Sequence, residues 1–510
     1  MGKLKKFIIN GLLLTATSLL LRWVGVVYNS FLSNAVGSEG MGVYSLVMSV
    51  FGFAVTFACS GINLGTTRLV SEALACNNGN EVKKSIKLCI SYSLIFSLTA
   101  SIIMFLCCEY IGKNVLNDIR TVSSIRILSF SLPFISLASV FSGYFSAVRR
   151  VYKNATSLIL EQTVQILLTS QILLNYSGKG VEFACNAVAF GVLISEVTSL
   201  LFNGVMYIID TKKHTTNIGK VSAGLSNKLL GISLPLALST YVRSGLVTVE
   251  HLLIPYGLRK NGASYTSSMS TYGVIQGMVF PLIMFPSCLV YSFGGLIVPE
   301  LSALNKQGKQ NQINHAVSKV LHYAVIYSVG VAGIMTCYAY ELSYVFYKSA
   351  EAYPFIRILS PLIAIMYLDG AVDGVLKGLN EQIHSMKINI IDAAVSIILV
   401  WVLVPKFGLN GYIATVFVCE IVNCALSLTR LTKVSSPYIS ISKNLFLPIF
   451  NIIMSTAAVT LLFDRLNITF LNSYTNLAIR IIMNLLLYFV LFPTENLLKA
   501  KYKAIKKTFP

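Results

Sequence analysis

The chain has 510 residues, 55% of them hydrophobic and 12% charged, with a mean hydropathy of +0.71. A soluble globular chain carries about a quarter of its residues as charges, so this composition excludes a water-soluble protein. The net charge of +20 follows from loops held at a cytoplasmic membrane face and from anionic lipid, and nucleic acid need not be invoked.

Apolar runs long enough to cross a bilayer recur from end to end, and they are continuous rather than alternating. Lipid offers no partner to an unpaired backbone group, so the fold class is an all-α polytopic membrane protein of about fourteen transmembrane helices. The first half reads as spans over 7–35, 41–70, 83–108, 122–148, 154–175, 183–209 and 227–252. The second half continues with 267–298, 315–339, 354–379, 384–404, 409–431, 443–463 and 474–492. The basic start, Met1 to Lys6, leads into an apolar run longer than a signal peptide and without a small-residue cleavage site, so the first helix is expected to stay in the product. Ten cysteines lie mostly inside apolar segments, among them Cys59, Cys89, Cys288 and Cys419, and show neither disulfide nor metal-ligand spacing. His251, His315, His322 and His384 form no metal pattern either, so no metal and no cofactor is expected.

Charge in the connections gives an orientation. One set of loops holds Lys83, Lys84 and Lys87, then Arg149, Arg150 and Lys153, then Lys212, Lys213 and Lys220, and later Lys306, Lys309, Arg430 and Lys433. The alternate set is mixed or acidic: Glu39, Glu109 with Asp118, Lys179 with Glu182, Glu341 with Glu351, and Asp464 with Arg465. The positive-inside rule puts both termini in the cytoplasm. The longest loops are too short to build a soluble core, so the chain is not expected to be an enzyme.

The phrase Ile125-Arg126-Ile127-Leu128-Ser129 returns as Ile356-Arg357-Ile358-Leu359-Ser360. Sliding the chain by that offset lays Ser142-Gly143 on Asp373-Gly374 and Glu161 on Asp392. Small offset changes lay Glu196 on Glu420 and Glu72 on Glu300. Three matched pairs of acids in a chain with only 20 predict two copies of a six-helix unit. The expected organisation is an N-lobe over 1–215, a C-lobe over 216–435, and two further helices with a basic cytoplasmic tail over 436–510. An even number of crossings gives the two copies one orientation, the parallel-repeat plan of transporters that rock about a central site.

Charges inside spans carry the candidate chemistry. Arg22 lies roughly 22 Å along the first span, where a charge costs a few kcal/mol unless it faces a wet cavity or a partner. Arg243 is its near counterpart, and Arg68 closes the second span. These arginines either pair with carboxylates or line a cationic cavity suited to phosphate oxygens. Glu161, Asp392, Glu196 and Glu420 either bind a coupling cation or knit helix pairs together. Asp369 and Asp373, four residues apart on one helix face, have the spacing for a cation.

Three stretches carry a resemblance: RWVGVVYNSFLSNAVGSEGMGVYSLVMSV, TTRLVSE, and TYGVIQGMVFPLIMFPSCLVYSFGGLIVPELSALNKQGK. They resemble the stage V sporulation protein B branch of the polysaccharide-exporter flippases, over nearly the whole chain. The wider superfamily holds lipid II and O-antigen flippases and multidrug extruders. The resemblance implies a flippase of the bacterial cell membrane that moves an undecaprenyl-diphosphate-linked saccharide, a peptidoglycan or spore-cortex precursor, to the outer leaflet. It implies membrane lipids as partners, a coupling cation and a monomer. Arg22 occupies one of the family's cavity arginine positions. Tyr28 stands where the family has a second arginine in the first helix, and Thr271-Tyr272-Gly273 where it has another in the eighth, which leaves Arg243 and Arg68 as substitute cations. The last two helices would form the groove for the polyprenyl tail. The rival readings are a multidrug or cation antiporter of the same superfamily, a flippase for a teichoic or capsular precursor, and a membrane enzyme such as a glycan polymerase.

Overall fold

In the computed structural model, residues 2–76, 78–175, 180–214, 224–437, 445–465 and 473–492 are described, and every regular element among them is helical. The basic tail and Lys179 lie outside the described residues. The helices are α1 (Gly2–Cys59), α2 (Ile62–Ala75), α3 (Gly79–Leu106), α4 (Val122–Ser129), α5 (Leu132–Ala147), α6 (Val151–Asn175), α7 (Val181–His214) and α8 (Leu225–Lys260). There follow α9 (Tyr265–Tyr272), α10 (Ser287–Lys306), α11 (Gln310–Cys337), α12 (Ala339–Tyr347), α13 (Tyr353–Leu359), α14 (Ile363–Gly378), α15 (Gln382–Val434), α16 (Leu447–Arg465) and α17 (Ser473–Val490). Among the described residues, ten helical stretches are long and apolar enough to cross a membrane, or eleven if the bent pair Ile119–Ser129 and Leu132–Ala147 counts as one span. The chain is a multi-pass membrane protein.

Two of the long helices are each two helices joined at a glycine. Gly37 in α1 (φ 75°) and Gly408 in α15 (φ 57°) hold backbone conformations that a Cβ would strain, and both fall where the sequence predicts one span to end and another to begin. The predicted span over 267–298 is also interrupted. After α9 the backbone opens into a π-turn over Gly273–Val279, runs through the short helix Phe280–Met284, and restarts at α10 behind Pro286. Prolines at 281 and 286 withhold two amide donors from the helical ladder and so break it there.

Two compact units form. The first comprises residues 1–277 and 393–412, the second 278–392 and 413–510. In the first unit, Leu69, Val70, Val82, Ile86, Val140 and Phe145 make a core where α2, α3 and α5 meet. Compactness also assigns α8 to this unit, and its contacts show why. Thr248 donates to the Ser49 carbonyl (3.2 Å), Ser244 to Thr56 (3.2 Å) and Tyr241 to Ser60 (2.6 Å), while Lys228 reaches Glu72. In the second unit, Leu301, Val317, Leu321, Val372, Leu376 and Leu431 join α10, α11, α14 and the second half of α15. The final pair docks on α11: Ile452 of α16 fills the notch at Gly333, Tyr488 of α17 fills the one at Gly330, and Tyr488 donates to the Ile326 carbonyl at 2.7 Å.

Helices α1 and α9 approach backbone to backbone. A Cβ on Gly42 would collide with the Met269 carbonyl, and one on Gly273 with the Ser38 carbonyl. Ser270 donates to Ser38 at 2.7 Å beside them. Gly273→Leu is therefore expected to lower the folded protein recovered from membranes severalfold. Overpacking costs about 1–3 kcal/mol even where side chains can yield, and here the obstacle is backbone. Equal recovery, scored by detergent extraction and gel filtration, would show that this seam can open without cost.

An ionic node sits close to that seam. Arg120 bonds both oxygens of Asp118 (3.0 Å from Nε) and reaches Glu39 at 2.8 Å, and Tyr265 donates to Asp118 at 2.6 Å. Burial pushes the Asp118 carboxyl up, but the hydrogen bonds from Arg120 and Tyr265 and the Arg120 charge outweigh it and hold the group below its ordinary range. A depressed carboxylate contributes stability that is complete above its unfolded value, about 3.9, and that fades as pH falls through the lower folded value. In thermal melts of the solubilised chain, wild type should lose stability below about pH 4 more steeply than Asp118→Asn. Parallel acid limbs would remove Asp118 from that role.

Candidate functional site

The predicted site residues fall into separate environments. Arg22 is exposed on α1. Tyr28, six residues on, is buried beside Gln165 and Thr169 of α6 and so belongs to a different face. Arg243 is exposed on α8, without an ion-pair partner among the described residues. Arg68 is exposed and lies 3.4 Å from Glu72, the carboxylate that Lys228 also engages, so its charge is already shared in a surface ion cluster. Of the three arginines, Arg22 and Arg243 keep an exposed charge within long apolar helices.

The acids of the first unit are brought together. Glu161 on α6 and Glu196 on α7 are close enough for one charge to act on the other, and Glu161 lies beside Ser199. A polar ladder continues from there: Ser199 to Ser157 at 3.1 Å, and Asn203 to Ser157 at 2.7 Å. Both predicted roles, a coupling site and a seam between α6 and α7, fit this arrangement. The acids of the second unit are more dispersed. Asp373 is held by Lys377 at 2.5 Å and by Ser385. Asp369 accepts from Asn423 of α15 at 3.2 Å. The two aspartates share a helix face as the spacing predicts, yet each turns to its own partners. Asp392 and Glu420 are half-buried on α15. Arg126 and Arg357, the repeated arginines, lie at helix ends against Glu109 (3.7 Å) and Tyr353 (2.7 Å).

A second polar cluster escaped the sequence reading. Glu250 of α8 accepts from Ser396 of α15 at 2.6 Å, and Ser396 is buried. Its neighbour His251 meets the hydroxyl of the fully buried Tyr272 at 2.8 Å. Gln276, inside the π-turn, donates to the buried Tyr412 at 2.8 Å, and the Glu250 charge acts on both tyrosines. The span was expected to end at residue 252, which put Glu250 at a rim. In the structure α8 runs on to Lys260 and buries Ile254, Pro255, Gly257 and Leu258. The signal was the apolar Leu252-Leu253-Ile254-Pro255-Tyr256-Gly257-Leu258 that follows Glu250 and extends the run past residue 252. Among the described residues no cluster of three or more His, Cys, Asp or Glu side chains could hold a metal ion.

Residues 7–288, more than half of the chain, match the family of polysaccharide biosynthesis proteins. The chain belongs to that family. This member is similar to stage V sporulation protein B of Bacillus subtilis, 25% identical over 79% of each chain. It is also similar to lipid II flippase MurJ of the same organism, 22% identical over 78% of each. Among solved structures, lipid II flippase MurJ in an inward closed conformation superposes with a TM-score of 0.70 at 14% identity, over 95% of this chain and 98% of that one. A multidrug resistance MATE family transporter in an inward-facing conformation gives 0.67 at 15% identity, over 82% and 98%. At those identities the superpositions establish the fold of this polysaccharide biosynthesis family member.

Proposed function

We propose that this protein is an alternating-access flippase that carries an undecaprenyl-diphosphate-linked saccharide, a peptidoglycan or spore-cortex precursor, to the outer leaflet of a bacterial plasma membrane. The observation that carries the reading is the pair of exposed arginines in apolar helices, Arg22 and Arg243, within a fold shared with lipid II flippase MurJ. A diphosphate needs compensating cations in a low-dielectric path, and guanidinium forks match its oxygens. Two six-helix lobes over 1–215 and 216–435 would rock about the site. The ionic nodes put Glu39 with Asp118, and Lys153 with Asp210, on shared faces, and the lysine- and arginine-rich set of loops that includes Lys153 favours cytoplasmic termini. A coupling cation would be taken by Glu250 with Ser396, or by the Glu161–Glu196 pair.

The multidrug or cation antiporter is the second reading, and the buried carboxylates favour it to the extent that they outnumber cations in the helices. Proteoliposomes holding a fluorescent undecaprenyl-diphosphate disaccharide separate the two. Wild type should make the label accessible to an external quencher in the presence of a cation gradient, and ethidium should not compete. Ethidium export with no movement of the lipid would install the antiporter reading.

A further inference from the structure

The second unit contains a cavity of about 980 Å³ between α10 and α11, lined also by Ala371 of α14 and Phe489 of α17. Leu289, Phe293, Ile297, Glu300 and Leu304 form its α10 wall, one helical stripe spaced three or four residues apart. Gln312, His315, Lys319, Tyr323 and Tyr327 form the α11 wall. From Leu289 to Leu304 the stripe is roughly 22 Å long at 1.5 Å per residue. Half a bilayer with its headgroup layer measures about 20–22 Å. The cavity is one leaflet deep.

Its polarity is graded along that length. The hairpin turn joining α10 to α11 lies at one end, and Glu300, Asn311, Gln312, His315 and Lys319 all gather there. Away from the turn the walls are Leu289, Val290, Phe293, Ala324, Ile326 and Phe489. At the polar mouth stand one anion and one cation. The side chains of Glu300 and Lys319 make no ion pair or hydrogen bond with any described residue. Both line one cavity, yet they do not bridge each other.

We infer that this cavity binds a single phosphatidylethanolamine-type phospholipid, its phosphate on Lys319, its ammonium on Glu300 and its acyl chains along Phe293, Tyr327 and Phe489. The charge balance selects this occupant. A headgroup of net charge zero satisfies one acid and one base at once. An anionic phosphatidylglycerol satisfies Lys319 but sets its phosphate against Glu300, and a diphosphate does so more strongly. A choline ammonium has no N–H to give the carboxylate, whereas ethanolamine has three. On the proposed orientation, the turn with Lys306 and Lys309 is cytoplasmic and the lipid belongs to the inner leaflet. The inference does not depend on what the protein transports.

Native mass spectrometry of the purified full chain, titrated with palmitoyl-oleoyl phosphatidylethanolamine, phosphatidylglycerol and phosphatidylcholine, tests it. Wild type should bind one ethanolamine lipid saturably, about tenfold more tightly than the other two. Lys319→Ala and Glu300→Ala should each erase that preference, and Glu300→Lys should turn it toward phosphatidylglycerol. Ala324→Phe, filling the cavity from the buried side of α11, should abolish saturable binding. Equal retention of the three lipids by wild type would mean ordinary annular lipid and overturn the assignment. So would a wild-type preference for phosphatidylglycerol, or displacement of the bound lipid by an undecaprenyl-diphosphate saccharide. Glu300 and Lys319 are exposed, so these variants keep the test decisive if Ala324→Phe fails to fold.

Discussion

Arg22→Ala and Arg243→Ala are each expected to weaken binding of an undecaprenyl-diphosphate saccharide by roughly ten- to a hundredfold. A hydrogen bond to a charged group is worth about 1.5–3 kcal/mol, and every 1.4 kcal/mol is tenfold in affinity. The two residues differ in one respect that makes the comparison useful. Arg243 has no ion-pair partner among the described residues, whereas Arg22 has interactions of its own to lose. Arg243→Ala should therefore leave the protein as abundant and as heat-stable as wild type, and its binding loss reads the substrate contact alone. Lysine should restore only part of the affinity at either site, since an ammonium is a point donor and cannot span two phosphate oxygens as a fork does. Arg68→Ala is the internal control. Its guanidinium is spent on Glu72, so its effect should stay within about threefold, the scale of an exposed ion pair. Equal affinities for wild type and the Arg22 and Arg243 variants would remove the cationic site and the flippase reading with it.

The helices were legible because lipid allows few alternatives to a helical span. Even the breaks at Gly37 and Gly408 could be read, since Val36-Gly37-Ser38-Glu39-Gly40 and Phe407-Gly408-Leu409-Asn410-Gly411 are turn sequences between apolar runs. Side-chain partnership was less legible. Arg68 was singled out by its place along the helix and Tyr28 by the resemblance, but rotation about the axis decides what a residue faces, and sequence fixes that poorly in helices apolar all round. Arg68 found Glu72 one turn away; Tyr28 turned into α6. Asp369 and Asp373 share a face as their spacing requires, yet Lys377, Ser385 and Asn423, from three different segments, separate their roles. Glu250 was overlooked because its span was drawn to end at residue 252, while the packing of Ile254 and Leu258 carries α8 on to Lys260.

Glu250 is where coupling is expected to show most strongly. A carboxylate within a span costs a few kcal/mol unless it is paired, hydrated or neutralised, and Ser396 donates to Glu250 at 2.6 Å. Around it His251 bonds Tyr272 and Gln276 donates to Tyr412, so polar groups wall the site. Such a site is suited to take up a cation or a proton and to release it when the helices move. Glu250→Gln keeps the side-chain shape and an oxygen that can accept from Ser396, so the fold should hold and membrane abundance should match wild type. What goes is the charge. In proteoliposomes the variant should move substrate at least tenfold more slowly under an imposed sodium or proton gradient, and its residual rate should no longer respond to that gradient. Glu161→Gln in the same assay distinguishes the two carboxylate sites, since only the coupling residue should abolish the gradient response. If Glu250→Gln answers the gradient as wild type does, the cluster is a helix-packing network, and the coupling role passes to the Glu161–Glu196 pair.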